Sequence, residues 1–125
     1  MLKIQCLTVD CKDPAVLADF WSKALSWKIG DGGNDREIWI EKILGDSESS
    51  DYPDILFLKN SDPKLQKNRL HLDLRPRDQS AEVARLESLG ASRIEVGQGN
   101  EPQCTWIVMA DPEGNEFCVL RPRTD

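Results

Sequence analysis

The chain has 125 residues, 39% hydrophobic and 30% charged, which is enough for one soluble domain that buries its core without disulfides or metals. Its formal net charge of −6 argues against a nucleic-acid partner, because affinity for a phosphate backbone comes mainly from clustered Lys and Arg. No apolar run approaches the roughly 18 to 20 residues of a membrane span, and the first residues lack the apolar stretch of a secretory signal. We therefore expect a cytoplasmic protein with no membrane partner.

The first half of the chain predicts a strand, a helix and three further strands. Residues 4–9 alternate as the first strand, and Asp13 and Pro14 are typical of a helix start, with the acid as N-cap. Apolar residues at spacings of three and four extend this helix to about Ser26, and Trp21 within that stripe is expected in the core. The three strands are predicted at residues 27–29, 37–43 and 55–59.

The second half repeats this order. Residues 68–74 alternate with a period of two, which predicts a strand with leucines 70, 72 and 74 on one face. The opposite face receives a titratable ring, a carboxylate and a guanidinium, namely His71, Asp73 and Arg75. Asp78 is expected to cap a helix that Gly90 ends. Strands are then predicted at 92–96, 105–109 and 116–120, the last two joined by a type I turn at 111–114.

This repetition indicates a duplicated unit. Superposing the two helix caps, Asp13 and Asp78, places Cys6 on His71, so the two first strands begin at equivalent positions. One α+β domain at 1–125 is predicted, composed of a βαβββ module at about 1–62 and a second at about 63–125, with helices on the outer face of a curved mixed β-sheet.

The later strands of the two modules are aligned by their sequence pattern, because the loops differ in length. Trp39 is aligned with Trp106, and Phe57 with Cys118. The sheet faces away from the helices should then form a concave groove with aromatic walls, the usual composition of a small-molecule site. By alternation this groove receives Cys6, Thr8, Trp39, Phe57, His71, Asp73, Trp106, Cys118 and Leu120. The alternative is that these side chains fill a closed barrel.

Five segments, at residues 9–14, 17–21, 24–27, 70–74 and 109–117, span nearly the whole chain in an order and spacing that resemble a known family. It is the vicinal oxygen chelate superfamily, which includes glyoxalases, bleomycin resistance proteins and dioxygenases, and the closer resemblance is to its glyoxalase-like domains. The resemblance implies paired βαβββ modules, often joined as homodimers, with a divalent metal in the cleft of the enzymes.

Metal-using relatives place ligands on the first and last strand of each module, and those places correspond here to Cys6, Phe57, His71 and Cys118. Since Phe57 cannot bind a metal, the resemblance implies an incomplete four-ligand site. A single histidine cannot supply the two-histidine iron site of an extradiol dioxygenase. No cofactor is therefore expected; the alternative is a zinc site formed by Cys6, His71 and Cys118.

His71 has three possible roles beside Asp73: general base, ligand-orienting group or structural hydrogen-bond partner. Cys6 and Cys118 would need a base within reach to act as nucleophiles, and nothing near Cys118 in sequence is cationic. The four cysteines show no Cys-x-x-Cys pair and no export signal, so we expect free, mostly buried thiols.

The function expected from these patterns is the binding of a small aromatic or amphipathic molecule by a homodimer without a metal. The residues expected to contact it are Trp39, Phe57, His71, Asp73, Arg75, Trp106 and Cys118. This interpretation follows the binding and drug-sequestering branch of the family that the chain resembles. The alternative is a lyase or isomerase of the glyoxalase type, with His71 as metal ligand or catalytic base, and a third is a partner-binding domain.

Overall fold

The computed structural model describes residues 1–44, 52–94 and 105–123. Its helices and strands are β1 (Cys6–Cys11), α1 (Pro14–Leu25), β2 (Lys28–Ile29), β3 (Glu37–Glu41), β4 (Asp54–Lys59), β5 (Asp73–Leu74), α2 (Gln79–Leu89), β6 (Ser92–Arg93), β7 (Ile107–Ala110) and β8 (Glu116–Val119). The chain divides into two compact units, Met1–Pro63 and Lys64–Asp125. Within the described ranges, neither helix is long and apolar enough to cross a membrane.

Each unit contains one four-stranded mixed sheet, and the two sheets have the same strand order. The order is β1-β4-β3-β2 in the first unit and β5-β8-β7-β6 in the second. In both, the first strand runs parallel to the last, and the remaining neighbours are antiparallel. The prediction of an α+β fold with two βαβββ modules is confirmed. A loop is predicted from the sequence at 45–52, and its residues 45–51 lie outside the described residues, as do residues 95 and 96 of the strand predicted at 92–96.

The two helices start with the same capping interaction. Asp13 Oδ1 accepts a hydrogen bond from the backbone N–H of Val16, three residues on, at 3.4 Å, and Asp78 Oδ1 accepts one from that of Ala81, also three residues on, at 3.1 Å. Gly90 adopts a φ of +119° directly after α2, a conformation that glycine reaches without strain. The predicted start of both helices and the predicted end of α2 are therefore confirmed.

The core of the first unit lies between α1 and its sheet. Helix α1 contacts β3 and β4. The residues buried there from the helix and from the two strands are Leu17, Phe20, Trp21, Ile40, Ile55 and Phe57. The rings of Phe20 and Trp21 meet edge to face with centroids 5.1 Å apart, so Trp21 packs in the core as predicted.

The strand predicted at 68–74 is shorter in the structure. Only Asp73–Leu74 forms β5, although the carbonyl of Leu72 still accepts a hydrogen bond from Cys118 N–H at 2.9 Å. Leu70 is exposed and lies before β5, so the prediction of a strand that carries leucines 70, 72 and 74 on one face is wrong for this residue. The physical reason is that the N–H of Asn68 donates to the Glu116 carboxylate, at 3.1 Å, rather than to a strand carbonyl.

The buried carboxylate of Glu116 holds the connector that leads into β5. Its Oε1 lies 2.6 Å from Lys64 Nζ, and its side chain is only 6% exposed. Burial by itself raises the pKa of Glu116, but hydrogen bonds from Lys64 and from backbone N–H groups, with the charge of Lys64, outweigh it and hold this pKa below 4.5. The ionised carboxylate therefore fixes the segment that precedes His71.

We predict that Glu116→Gln lowers the free energy of unfolding at pH 7 by about 1 to 3 kcal/mol, the usual loss for a hydrogen bond to a charged group. Because the folded pKa is lowered, this contribution is complete above the unfolded pKa and disappears as the pH falls through the folded pKa. Urea unfolding should be measured at pH values from 7 to 3. The free energy of unfolding of the wild type should approach that of the variant below about pH 4.5. Glu87→Gln, on the exposed side of α2, serves as the control. A difference in the free energy of unfolding between wild type and Glu116→Gln that does not change with pH would contradict the prediction.

Candidate functional site

Trp39 forms a fixed platform on the first sheet. Gly30 N–H donates to the Trp39 carbonyl at 2.9 Å, so these residues are cross-strand neighbours of edge strand β2 and strand β3. A Cβ atom added to Gly30 would collide with the indole ring, which shows that the ring lies directly over this glycine. Aromatic side chains that cover an edge glycine pack in this manner. The absence of a side chain at Gly30 thus sets the orientation of Trp39.

Polar contacts hold the same ring from its edge. The indole Nε1–H of Trp39 donates to Glu41 Oε2 at 3.3 Å, and Glu41 Oε1 lies 3.2 Å from Lys28 Nζ. Trp39 itself is half-buried, so part of its surface remains accessible. The ring is therefore oriented before any ligand arrives.

Phe57 does not share this face, and its predicted place in the ligand surface is wrong. It is fully buried and pairs across the sheet with Ile38, whereas Trp39 pairs with Leu56. Since directly paired residues point to the same face, Phe57 points toward α1, and Leu56 and Leu58 share the face of Trp39. Both leucines are half-buried. Phe57 is thus part of the core and is neither a ligand contact nor the counterpart of a metal ligand.

The error arises from the alignment of the two modules. In the parallel pairs, Thr8 lies opposite Leu56, and Asp73 lies opposite Cys118. Because the helix caps make Thr8 and Asp73 equivalent, Leu56 is the counterpart of Cys118. The predicted alignment of Phe57 with Cys118 is therefore wrong by one residue, which moves the side chain to the opposite face.

Trp106 is also not the counterpart of Trp39. Trp39 pairs with Leu56 and Val108 pairs with Cys118, so Val108 occupies the place equivalent to that of Trp39. Trp106 precedes β7 and is half-buried. Extending the alternation of β7 by one residue gives Trp106 the side of Val108 and Cys118, and its place in a ligand surface stays a prediction.

A histidine, a carboxylate and a thiol meet in the second unit. His71 Nε2 lies 3.2 Å from Asp73 Oδ1, although strand rise alone separates the two backbones by about 7 Å. One ligand atom each of His71, Asp73 and Cys118 lies within 4.8 Å of the others. Cys118 is 5% exposed, whereas the side chains of His71 and Asp73 are 31% and 55% exposed. The thiol is thus buried, and the other two groups border it.

The donor atoms of this cluster fit a thiophilic divalent ion such as zinc, which binds imidazole nitrogen, thiolate sulfur and carboxylate oxygen. Asp73 supplies the third donor, a role that the sequence analysis had given to Cys6. Cys6 belongs to the first unit, where its sulfur lies 3.6 Å from the Thr8 hydroxyl. The four-ligand site implied by the resemblance does not fit, because neither the predicted Phe57 nor Leu56, which the pairing makes equivalent to Cys118, offers a donor atom.

The same three groups have chemistry available without a metal. The His71 ring is hydrogen-bonded to a carboxylate and partly exposed, an arrangement suited to orienting a polar group or accepting a proton. Cys118 has an imidazole within 4.8 Å, the neighbouring base that its sequence surroundings lack. Its burial nevertheless limits access to the thiol.

Arg75, predicted to orient a ligand, is exposed and follows β5. Its Nη1 donates to the carbonyl of Arg121 at 2.7 Å, so its guanidinium is directed toward the end of β8. Its contact with a ligand stays a prediction.

A separate polar depression of about 680 Å³ lies at the end of the first sheet. Its lining residues are Lys12, Asp35, Arg36, Lys59, Asn60, Ser61 and Asp62. No residue predicted for the ligand site lines it, so the depression and the Trp39 platform are different surfaces of the first unit.

Sequence reasoning missed three contributors to these surfaces. Gly30, which follows the strand predicted at 27–29, received no role in the predicted site, although a glycine at the end of an edge strand with an aromatic residue in the next strand is a usable signal. Leu56 and Leu58 could be found only from the pairing of β3 with β4, which sequence alternation alone does not give.

Comparison with known proteins gives one family and many structures of the same fold. The family model described as glyoxalase-like domain matches residues 6–120. No protein with a curated description matches the chain. A glyoxalase/bleomycin resistance protein/dioxygenase family enzyme from Burkholderia phytofirmans is similar in structure, with a TM-score of 0.72, 14% identity, and coverage of 98% of this chain and 100% of the other.

Two further similar structures have more specific names. The trypanothione-dependent glyoxalase I of Leishmania major has a TM-score of 0.63 and 14% identity, over 97% of this chain and 87% of the other. An antibiotic-binding protein from Streptomyces has a TM-score of 0.61 and 20% identity, over 98% of each chain. At these identities the structural similarity shows the fold alone. The family match covers nearly the whole sequence, and the chain therefore belongs to the glyoxalase-like domain family of the vicinal oxygen chelate superfamily.

Proposed function

We propose that this chain binds a small aromatic or amphipathic molecule and does so without a resident metal. The observation that carries the proposal is the Trp39 platform: an indole held over Gly30, anchored to Glu41 and flanked by two half-buried leucines. An aromatic ring oriented in advance offers contact area at little entropic cost on binding. A flat aromatic ligand would stack on it.

The second unit has side chains that could contact a polar substituent of the ligand. His71 and Asp73 form a partly exposed pair, and the half-buried Trp106 takes the same sheet face by alternation. Small-molecule sites combine apolar walls with a few such polar groups, which set orientation and specificity. Arg75 and Cys118 remain proposed contacts on this unit.

The similarity to an antibiotic-binding protein from Streptomyces supports a binding function. A protein that sequesters a compound needs shape and stacking but no catalytic metal, which agrees with a platform of Trp39, Leu56 and Leu58. As part of the same proposal, the protein acts in the cytoplasm as a homodimer.

The second candidate function is a lyase or isomerase of the glyoxalase type. One observation favours it: His71, Asp73 and Cys118 bring nitrogen, oxygen and sulfur donors within 4.8 Å of one another. The similarity to the glyoxalase I of Leishmania major points the same way. In this alternative His71 serves as metal ligand or as the base that moves a proton on the substrate.

Trp39→Ala should weaken binding of the amphipathic probe anilinonaphthalene sulfonate by about 1 to 2 kcal/mol, roughly five- to thirtyfold in Kd, because stacking area is lost. Gly30→Ala should weaken binding in the same direction with every tryptophan retained, since the new methyl group displaces the indole. Fluorescence titration measures both. Trp27→Ala is the matched control, because Trp27 contacts Tyr52 instead. Equal losses in Trp27→Ala and Trp39→Ala would refute the platform.

His71→Ala separates the two candidate functions. Under the binding proposal it raises the probe Kd by only about two- to fivefold, the loss of one partly exposed polar contact. Under the enzyme alternative it abolishes glyoxalase-type isomerisation that the wild type performs. Binding of the probe and turnover are measured in parallel for the wild type and His71→Ala, and the two results distinguish the candidate functions. Gln79→Ala, elsewhere in the second unit, is the control variant. Turnover by the wild type that disappears in His71→Ala would favour the enzyme.

Metal content tests the proposed absence of a resident ion. Elemental analysis of purified wild-type protein, with and without added zinc, should give less than about a tenth of an equivalent after desalting. Should a full equivalent remain, the ligand set can be read from variants: Asp73→Asn would release zinc bound by the second unit, while Cys6→Ser would leave it in place. Retention of zinc in the wild type would contradict the metal-free proposal.

A further inference from the structure

The polar depression of the first unit lies at one edge of its sheet, where two strands end and a third begins. Strands β1 and β4 are parallel, so their carboxyl ends meet at this edge, and the antiparallel β3 begins there. Lys12 follows β1, Lys59 ends β4 and Arg36 precedes β3. All three line the depression, so the topology brings three cationic side chains to one concave surface.

Arg36 and Lys59 lie directly opposite each other. The N–H of Lys59 donates to the Arg36 carbonyl at 2.7 Å, which extends the pairing of β3 with β4 by one residue beyond Glu37 and Leu58. Residues paired in this way point to the same face of a sheet, with Cβ atoms about 4.5 to 5.5 Å apart. By alternation that face is the one of Phe57. The two cationic groups therefore start from neighbouring positions on one side of the sheet.

Neither Arg36 nor Lys59 forms an ion pair with a residue in the ranges 1–44, 52–94 and 105–123. The cations of the ion pairs found there are Lys23, Lys28, Lys64, His71 and Arg85. Like charges placed directly opposite each other in a sheet destabilise the fold, and such local conflicts are expected at functional sites. This pair stands in a chain whose net charge is −6, so an anionic ligand would compensate it.

The rest of the lining consists of groups that exchange hydrogen bonds with hydroxyls. Asn60 Oδ1 accepts the Asp62 N–H at 2.7 Å, which fixes the turn after β4 and leaves the amide NH2 of Asn60 as a donor. Ser61 adds a hydroxyl, and Asp35 and Asp62 add two carboxylates. These carboxylates disfavour a ligand made only of anionic groups, but they accept hydrogen bonds from uncharged hydroxyls.

We propose that this depression binds a sugar phosphate, with the phosphate group at Arg36 and Lys59 and the sugar hydroxyls at the turn of residues 60–62. A guanidinium presents a planar pair of N–H donors that matches phosphate oxygens, and an ammonium adds a compact charge beside it. The volume of about 680 Å³ lies within the range of about 300 to 1,000 Å³ that is usual for small-molecule sites. This ligand is separate from the aromatic ligand, because the Trp39 platform occupies the other sheet face.

The test measures binding of ribose 5-phosphate to the full chain by isothermal titration calorimetry at low salt. Arg36→Gln/Lys59→Gln should weaken binding at least about tenfold, since two charge-assisted contacts are lost. The midpoint of thermal unfolding should not fall in this variant, because two opposed like charges are removed. Arg77→Gln/Arg121→Gln removes the same charge from the second unit and is the matched control, with a Kd expected within about twofold of the wild type.

The hydroxyl contacts are tested with a second ligand, inorganic phosphate. The wild type should bind ribose 5-phosphate at least about tenfold tighter than inorganic phosphate, and Asp62→Ala should reduce this ratio because a hydroxyl loses its acceptor. Equal affinity of the wild type for both ligands would overturn the sugar phosphate assignment in favour of a bare anion site.

Two further results would overturn the proposal. One is equal weakening of ribose 5-phosphate binding in both double variants, which would show a general charge effect, and the other is a wild-type Kd above about 1 mM. Binding of anilinonaphthalene sulfonate should stay within about twofold of the wild type in Arg36→Gln/Lys59→Gln. The failure of this proposal and that of the aromatic site can therefore be recognised separately.

Discussion

The parallel pairing of the first and last strand in each unit is the constraint on which the candidate site depends. In the second unit it sets Asp73 opposite Cys118 through the hydrogen bond from Cys118 N–H to the Leu72 carbonyl. A slip of one residue would turn every side chain of one strand to the other face and separate the carboxylate from the thiol. The helix and the two intervening strands of each unit lie between the paired strands in sequence.

The same pairing gives the two units different chemistry from the same topology. In the first unit the position equivalent to Cys118 is Leu56, and the neighbouring strand adds Trp39, so that face is apolar and aromatic. In the second unit the equivalent face holds an imidazole, a carboxylate and a thiol. The two units therefore have sheets with the same strand order, and the side chains at equivalent positions decide whether a sheet face favours stacking or polar contacts.

Local sequence signals predicted most of the fold. Asp13 and Asp78 cap their helices, Gly90 ends α2, and the N–H of Gly114 donates to the Asp111 carbonyl in the predicted turn. These features could be predicted because each depends on neighbouring residues alone. The register of β4 depends on its pairing with β1 and β3, which are distant in sequence, and alternation alone does not reveal it. That is why Phe57 was placed on the wrong face. The shortness of β5 has a similar origin, since its connector is held by a carboxylate 48 residues farther along the chain.

The central claim is that an aromatic compound binds to the exposed surface of Trp39 rather than to the core side of that sheet. Its most direct test follows the indole N–H resonances by NMR while anilinonaphthalene sulfonate is added to the isotope-labelled protein. We expect the Trp39 indole resonance to shift with saturation, whereas that of the buried Trp21 stays unchanged. An unchanged Trp39 resonance at saturating probe, with a shift of the buried Trp21 indole instead, would contradict the claim.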